Sequence, residues 1–123
     1  MNSILWVVQG LLALAFLGAG YMHAFGAEKA LAQPQMAWIK AVPKQLLTFI
    51  GLAEIAGALG VVLPVLTGIL PWLTPVAAGL LAVMMLLAAL FHLPRKEYQN
   101  IGFNLFLLAL AAFVAWGRWS LLG

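Results

Sequence analysis

Five side chains set in or beside apolar stretches carry whatever chemistry this chain has: His23, Glu54, His92, Asn100 and Asn104. Glu54 stands in the middle of "FIGLAEIAGALGVVLP", residues 49–64, where an ionisable group is expensive and by default marks a proton-exchange, ligand or ion site. The two imidazoles can change charge near neutral pH, and the two amides can donate and accept hydrogen bonds. Together they suit ligand binding or proton exchange. Each has a plainer reading too: Glu54 as a protonated carboxyl hydrogen-bonded to Asn104 or a carbonyl, Asn104 as an interhelical packing group, and the histidines as headgroup contacts. Gln9 reads as merely interfacial.

Other chemistries fare badly. Two imidazoles and one carboxylate are a thin basis for a metal site, and two histidines without an attachment motif are a weak signal for haem. The expectation is no metal and no catalytic residue. With no cysteine in the chain, disulfides and thiolate chemistry are excluded. The few Ser and Thr residues have no evident base beside them. No phosphate-cradling loop or nucleic-acid stripe is present, so nucleic acid is not an expected partner.

The elements that must position these groups follow from composition. Hydrophobic residues make up 66% of the 123, against six basic and three acidic ones, far below the roughly 25% charge of a soluble domain. Apolar stretches near the ~20 residues that span a bilayer predict helices over 4–25, 45–64, 72–92 and 99–117. The fold class is therefore all-α, a single integral membrane domain over 1–123: a four-helix bundle with short loops and an interfacial segment between helices 1 and 2. A signal peptide fits the first stretch poorly despite Ala30-Leu31-Ala32, because the start lacks side-chain positive charge and the apolar run is too long.

Four spans put Lys29, Lys40, Lys44, Arg95 and Lys96 on one side and Arg118 on the other. The positive-inside rule then predicts both basic loops inside and both termini outside. Trp6, Trp72, Trp116 and Trp119 at the outer face, with Trp38, Tyr21 and Tyr98 at the inner one, agree with the aromatic-belt preference. In the first loop, 27–33 suits a short helix and Met36-Ala37-Trp38-Ile39-Lys40 an interfacial segment, with Pro43 starting the second span. "LLALAFLGAGYMH" (11–23) aligns with "LLAVMMLLAALFH" (80–92), which suggests two parallel hairpins.

Helical projection groups the polar residues with small and apolar neighbours on one stripe of each span: Gln9, Ala13, Phe16, Gly20 and His23; Leu47, Ile50, Gly51, Glu54, Gly57, Ala58 and Val61; Ala78, Leu81, Met85, Ala88, Ala89 and His92; Asn100, Asn104, Leu108, Ala111 and Ala115. Unsatisfied polar groups in hydrocarbon cost several kcal/mol, so the stripes should turn inward and meet. Glu54 lies ~16 Å past Pro43 at 1.5 Å per residue, near mid-bilayer, with the histidines near the inner face. A pocket opening inward, with an acid at its bottom and imidazoles at its mouth, is the expected geometry.

"GLAEIAGALGVVLPVLTGILPWLTPVAAGLLAVMMLLAALFHLPRKEY" and "NLFLLALAAFVAWGRW" resemble the DoxX-like group of small four-helix membrane proteins. The likeness rests on Glu54, the "GILPWLTP" turn, His92 before Arg95 and Lys96, Asn104, and Gly117-Arg118. The resemblance implies a multi-pass protein of the bacterial inner membrane, in a group linked to quinone-dependent redox complexes and to assembly of other membrane proteins. The leading expectation is a non-catalytic accessory or binding protein whose pocket takes a lipophilic ligand or partner helix. The alternative is a membrane subunit of a quinone-linked oxidoreductase, with quinone as cofactor; a small proton-coupled transporter is the third reading. Besides the lipid bilayer, the expected partners are another membrane protein or oxidoreductase subunit, and the glycine faces suit a homodimer.

Overall fold

The computed structural model describes residues 2–30 and 34–122. Four stretches are long and apolar enough to cross a membrane: α1 (Asn2–Phe25), the run Lys44–Thr67, α5 (Leu73–His92), and Tyr98–Leu121 of α6 (Tyr98–Leu122). Between the first two lie α2 (Ala27–Ala30) and a 3-10 helix (Pro34–Ala41). Leu31, Ala32 and Gln33, expected to prolong the first of these, fall outside the described residues. No strand occurs among the described residues.

The second span is not continuous to residue 64. It divides into α3 (Lys44–Gly60) and the short α4 (Leu63–Thr67), because Val62 leaves ideal helical geometry (φ −119°) and Pro64 lacks the N–H that would bond Gly60. The break frees backbone groups where no water can solvate them, so each must find a substitute. The Thr74 hydroxyl donates to the Gly60 carbonyl at 3.2 Å and accepts from the Val65 N–H at 3.3 Å. Gln9 Nε2 donates to the Val61 carbonyl at 2.6 Å. Gln9 and Thr74 are both fully buried. Gln9 is therefore more than an interfacial residue: it is buried where a helix carbonyl has lost its partner.

The four spans form a ring in chain order, with the tightest contacts inside two hairpins, α1 with α3 and α5 with α6. In lipid, close packing rather than water exclusion holds helices together, and small residues permit it. Gly20 and Gly51 show this most sharply: a Cβ on Gly20 would stand 2.6 Å from the Gly51 carbonyl oxygen, and one on Gly51 2.6 Å from that of Gly20. Contacts between the hairpins gather at the end bearing the chain termini, where Gly57 meets Leu81, Gly60 meets Ala77 and Gly117 meets Leu5. Leu12, Phe16, Val61, Leu81, Ala111 and Val114 form a closed apolar core there.

At the opposite, loop end, α5 finishes in a Schellman cap: Glu97 N–H bonds the His92 carbonyl (3.2 Å) and Lys96 N–H that of Leu93 (3.1 Å). Lys96 takes the left-handed conformation the motif requires, with φ 59°. This turn folds Glu97 back beneath His92.

Candidate functional site

Toward the loop end the two hairpins enclose a cavity of about 1000 Å³, lined by residues of all four spans and of the 3-10 segment. Met85 and Leu107 belong both to this lining and to the apolar core, so they make its floor. Trp38 and Val42 contribute from the loop side. Leu46, Leu87 and Phe103 are about half exposed or more, so the lining continues onto the surface that faces lipid. His23, Glu54, His92, Asn100 and Asn104 all line this one space.

Glu54 does not pair with Asn104, as the plainer sequence reading expected. Its Oε1 lies 2.6 Å from His23 Nδ1, with both residues buried. The reason is geometric. The Gly20–Gly51 approach clamps α1 on α3 three residues before each partner, while α3 and α6 face each other across the cavity. In an α-helix the Cα–Cβ bond tilts toward the helix's own N-terminus. Because α1 and α3 run antiparallel, His23 and Glu54 lean toward each other.

His92 makes the matching contact in the second hairpin, its Nδ1 lying 2.8 Å from Glu97 Oε1, which also accepts from Arg95 Nε at 2.8 Å. Burial pushes the Glu97 carboxyl upward. The hydrogen bonds and positive charge of His92 and Arg95 outweigh that and hold it below the ordinary carboxylate value. Two imidazoles thus enter one cavity with Nδ1 held by a carboxylate, an arrangement that fixes ring orientation and frees Nε2 for another partner.

Trp38 joins the two walls. Its ring packs edge-on against His23 (5.2 Å between centroids), His92 (5.3 Å) and Phe91 (6.1 Å). It is an inward wedge, whereas the sequence reading made it an interfacial anchor. Two buried donors here have no hydrogen-bond partner among the described residues: Trp38 Nε1 and Asn104 Nδ2. No group of three or more His, Cys, Asp or Glu side chains among the described residues is placed to hold a metal ion.

Sequence reasoning missed Trp38, Glu97 and a network at the terminal end. There Arg118, only 6% exposed, donates from Nε to Gln9 Oε1 (2.6 Å) and from Nη1 to Asn2 Oδ1 (2.7 Å). Its guanidinium stacks over the Trp6 ring at 5.0 Å. A signal existed: Asn104, Ala111 and Arg118 follow one another at seven-residue spacing on the same buried stripe.

Four membrane-crossing helices, packed as two hairpins, define a small multi-pass membrane protein. The chain belongs to the DoxX-like family, which it matches over residues 7–114. That stretch takes in every cavity-lining residue and ends just before Arg118. No curated protein and no solved structure matches the chain.

Proposed function

We propose that this chain is a non-catalytic accessory protein of the bacterial inner membrane whose cavity receives a lipophilic ligand bearing acceptor oxygens. One observation carries the reading: in an otherwise mainly apolar wall, two N–H donors, Trp38 Nε1 and Asn104 Nδ2, are buried without partners. An unmade hydrogen bond in such a place costs about 1–3 kcal/mol, so a carbonyl or ether oxygen on an apolar body is the complementary guest. The volume stands at the upper end of the ~300–1,000 Å³ of small-molecule sites. Entry from the bilayer suits the exposed lining residues Leu46, Leu87 and Phe103.

The second reading, a membrane subunit of a quinone-linked oxidoreductase, is favoured by the His23–Glu54 pair and by His92 on the facing wall of the same cavity. They would exchange protons with a ring whose oxygens gain and lose them. The test is mass spectrometry of lipophiles that co-purify with wild type, Asn104→Leu and Trp38→Phe. The proposal expects one species held by wild type and depleted at least tenfold in both variants. Equal retention in all three refutes it, a quinone selects the redox reading, and a co-purifying membrane protein without a small molecule selects a partner helix.

A further inference from the structure

The terminal end holds a polar group that the cavity does not use. Arg118 is the sole basic residue on this end of the bundle; the other five lie on loops or helix ends at the opposite one. It is also the most buried of them. Two of its nitrogens are satisfied, by amide oxygens of Gln9 and Asn2, and its third, Nη2, is buried with no partner among the described residues. Among the described residues no carboxylate pairs with it: the ion pairs there are His23–Glu54, His92–Glu97 and Arg95–Glu97. The chain's acidic residues, Glu28, Glu54 and Glu97, lie in α2, α3 and the α5–α6 turn, away from the terminal end.

A guanidinium withdrawn from water without a counterion is an incomplete arrangement, and its planar fork matches a phosphate or carboxylate by two parallel hydrogen bonds. We infer that Arg118 is the anchor of an anion site that takes a phosphate group at the headgroup level of the leaflet where both termini lie. The depth is right: Trp6 stacks on the guanidinium, and Trp72, Trp116 and Trp119 are exposed at the same end, where indoles favour the interface. The route is right as well. Asn2 is the exposed first residue of α1, and its Oδ1 occupies the place of one anion oxygen at Nη1. When that side chain swings out, Nη1 and Nη2 face the same guest. Gln9 keeps Nε in place meanwhile, so the fork stays oriented.

Phosphate at this depth comes from a phospholipid headgroup or from free phosphate, and native mass spectrometry of delipidated protein separates them. Phosphatidylglycerol is titrated first, then inorganic phosphate alone, each against wild type, Arg118→Gln, Arg118→Lys, Asn2→Ala and the loop control Arg95→Gln. The expected result is one tightly held phosphatidylglycerol, weakened at least tenfold by Arg118→Gln and less by Arg118→Lys, which keeps the charge but loses the fork. Asn2→Ala, which removes the competing oxygen, should bind as tightly as wild type or more so, and Arg95→Gln should be unchanged. Binding of inorganic phosphate with the same dependence on residue 118, in the absence of a lipid preference, supports the site and assigns it to the free anion. The inference is overturned if Arg118→Lys and Arg118→Gln both bind within twofold of wild type, if Arg95→Gln loses as much as Arg118→Gln, or if Asn2→Ala abolishes binding. The lysine variant keeps the test decisive should the glutamine variant fail to fold.

Discussion

The contact between His23 and Glu54 can be weighed by a double-mutant cycle, because both members have an apolar replacement of similar size. Glu54→Leu leaves the imidazole alone at a place where it is 8% exposed, and His23→Leu leaves the carboxyl alone at 3%. If the pair is held as a neutral hydrogen bond, each single variant should lose about 1–3 kcal/mol through the group left unsatisfied. If it is held as an ion pair, each loss should rise to about 3–5 kcal/mol. The double variant puts two leucines against each other and leaves nothing stranded, so it should be little worse than either single change. The coupling energy then falls at about 1–3 kcal/mol for the neutral form and above about 3 kcal/mol for the ionised one. Reversible unfolding in mixed micelles, at fixed protein concentration, measures all four corners. Glu54→Gln is the control, since an amide oxygen can still accept from Nδ1–H; its cost should stay under about 1 kcal/mol. A coupling energy below about 0.5 kcal/mol, the level of independent sites, would refute the pairing.

Two further outcomes concern the loops. Single cysteines introduced into this cysteine-free chain at Ser3 and Ser120 should react with an impermeant thiol reagent on intact cells, and one at Gln99 should not; the reverse pattern refutes the orientation drawn from the basic residues. Glu97, whose folded carboxyl is held below its ordinary value, contributes stability that is complete above that value and is lost as pH falls through the folded one. Melting curves taken from about pH 6 down to about pH 3 should therefore converge for wild type and Glu97→Gln, and curves that stay parallel count against the loop contact.

Much of this bundle is legible in the sequence, since lipid forces polar stripes inward and helical spacing reveals them. Gln9, Phe16, Gly20 and His23 on α1, and Gly51, Glu54 and Ala58 on α3, are buried as their spacing requires. On α6 the reading is right at Asn104 and Ala111 and off by one at two places, where Leu107 and Val114 are buried in place of Leu108 and Ala115. Small apolar residues there match either choice, so periodicity alone could not set the rotation. The partner of Glu54 was harder still. Five polar groups line the cavity, and which two meet depends on the relative height of the helices, fixed here by Gly20 against Gly51. The place of Trp38 obeys no helical period at all. It follows from a loop segment turning its ring into a gap that exists only once both hairpins are assembled.

The break between α3 and α4 ties together positions far apart in the chain. Pro64 removes one backbone donor, and Thr74 on α5 and Gln9 on α1 serve the groups left over. Pro64 and Thr74 thereby act as one unit of the fold, with Gln9 serving both this break and Arg118. A relative with an N–H at the place of Pro64 can close the helix on itself and is then released from the need for a hydroxyl at 74, while the amide at 9 keeps its second partner in Arg118. Sequence variation at 64 and 74 should therefore be correlated across the family, with proline and hydroxyl appearing and disappearing together.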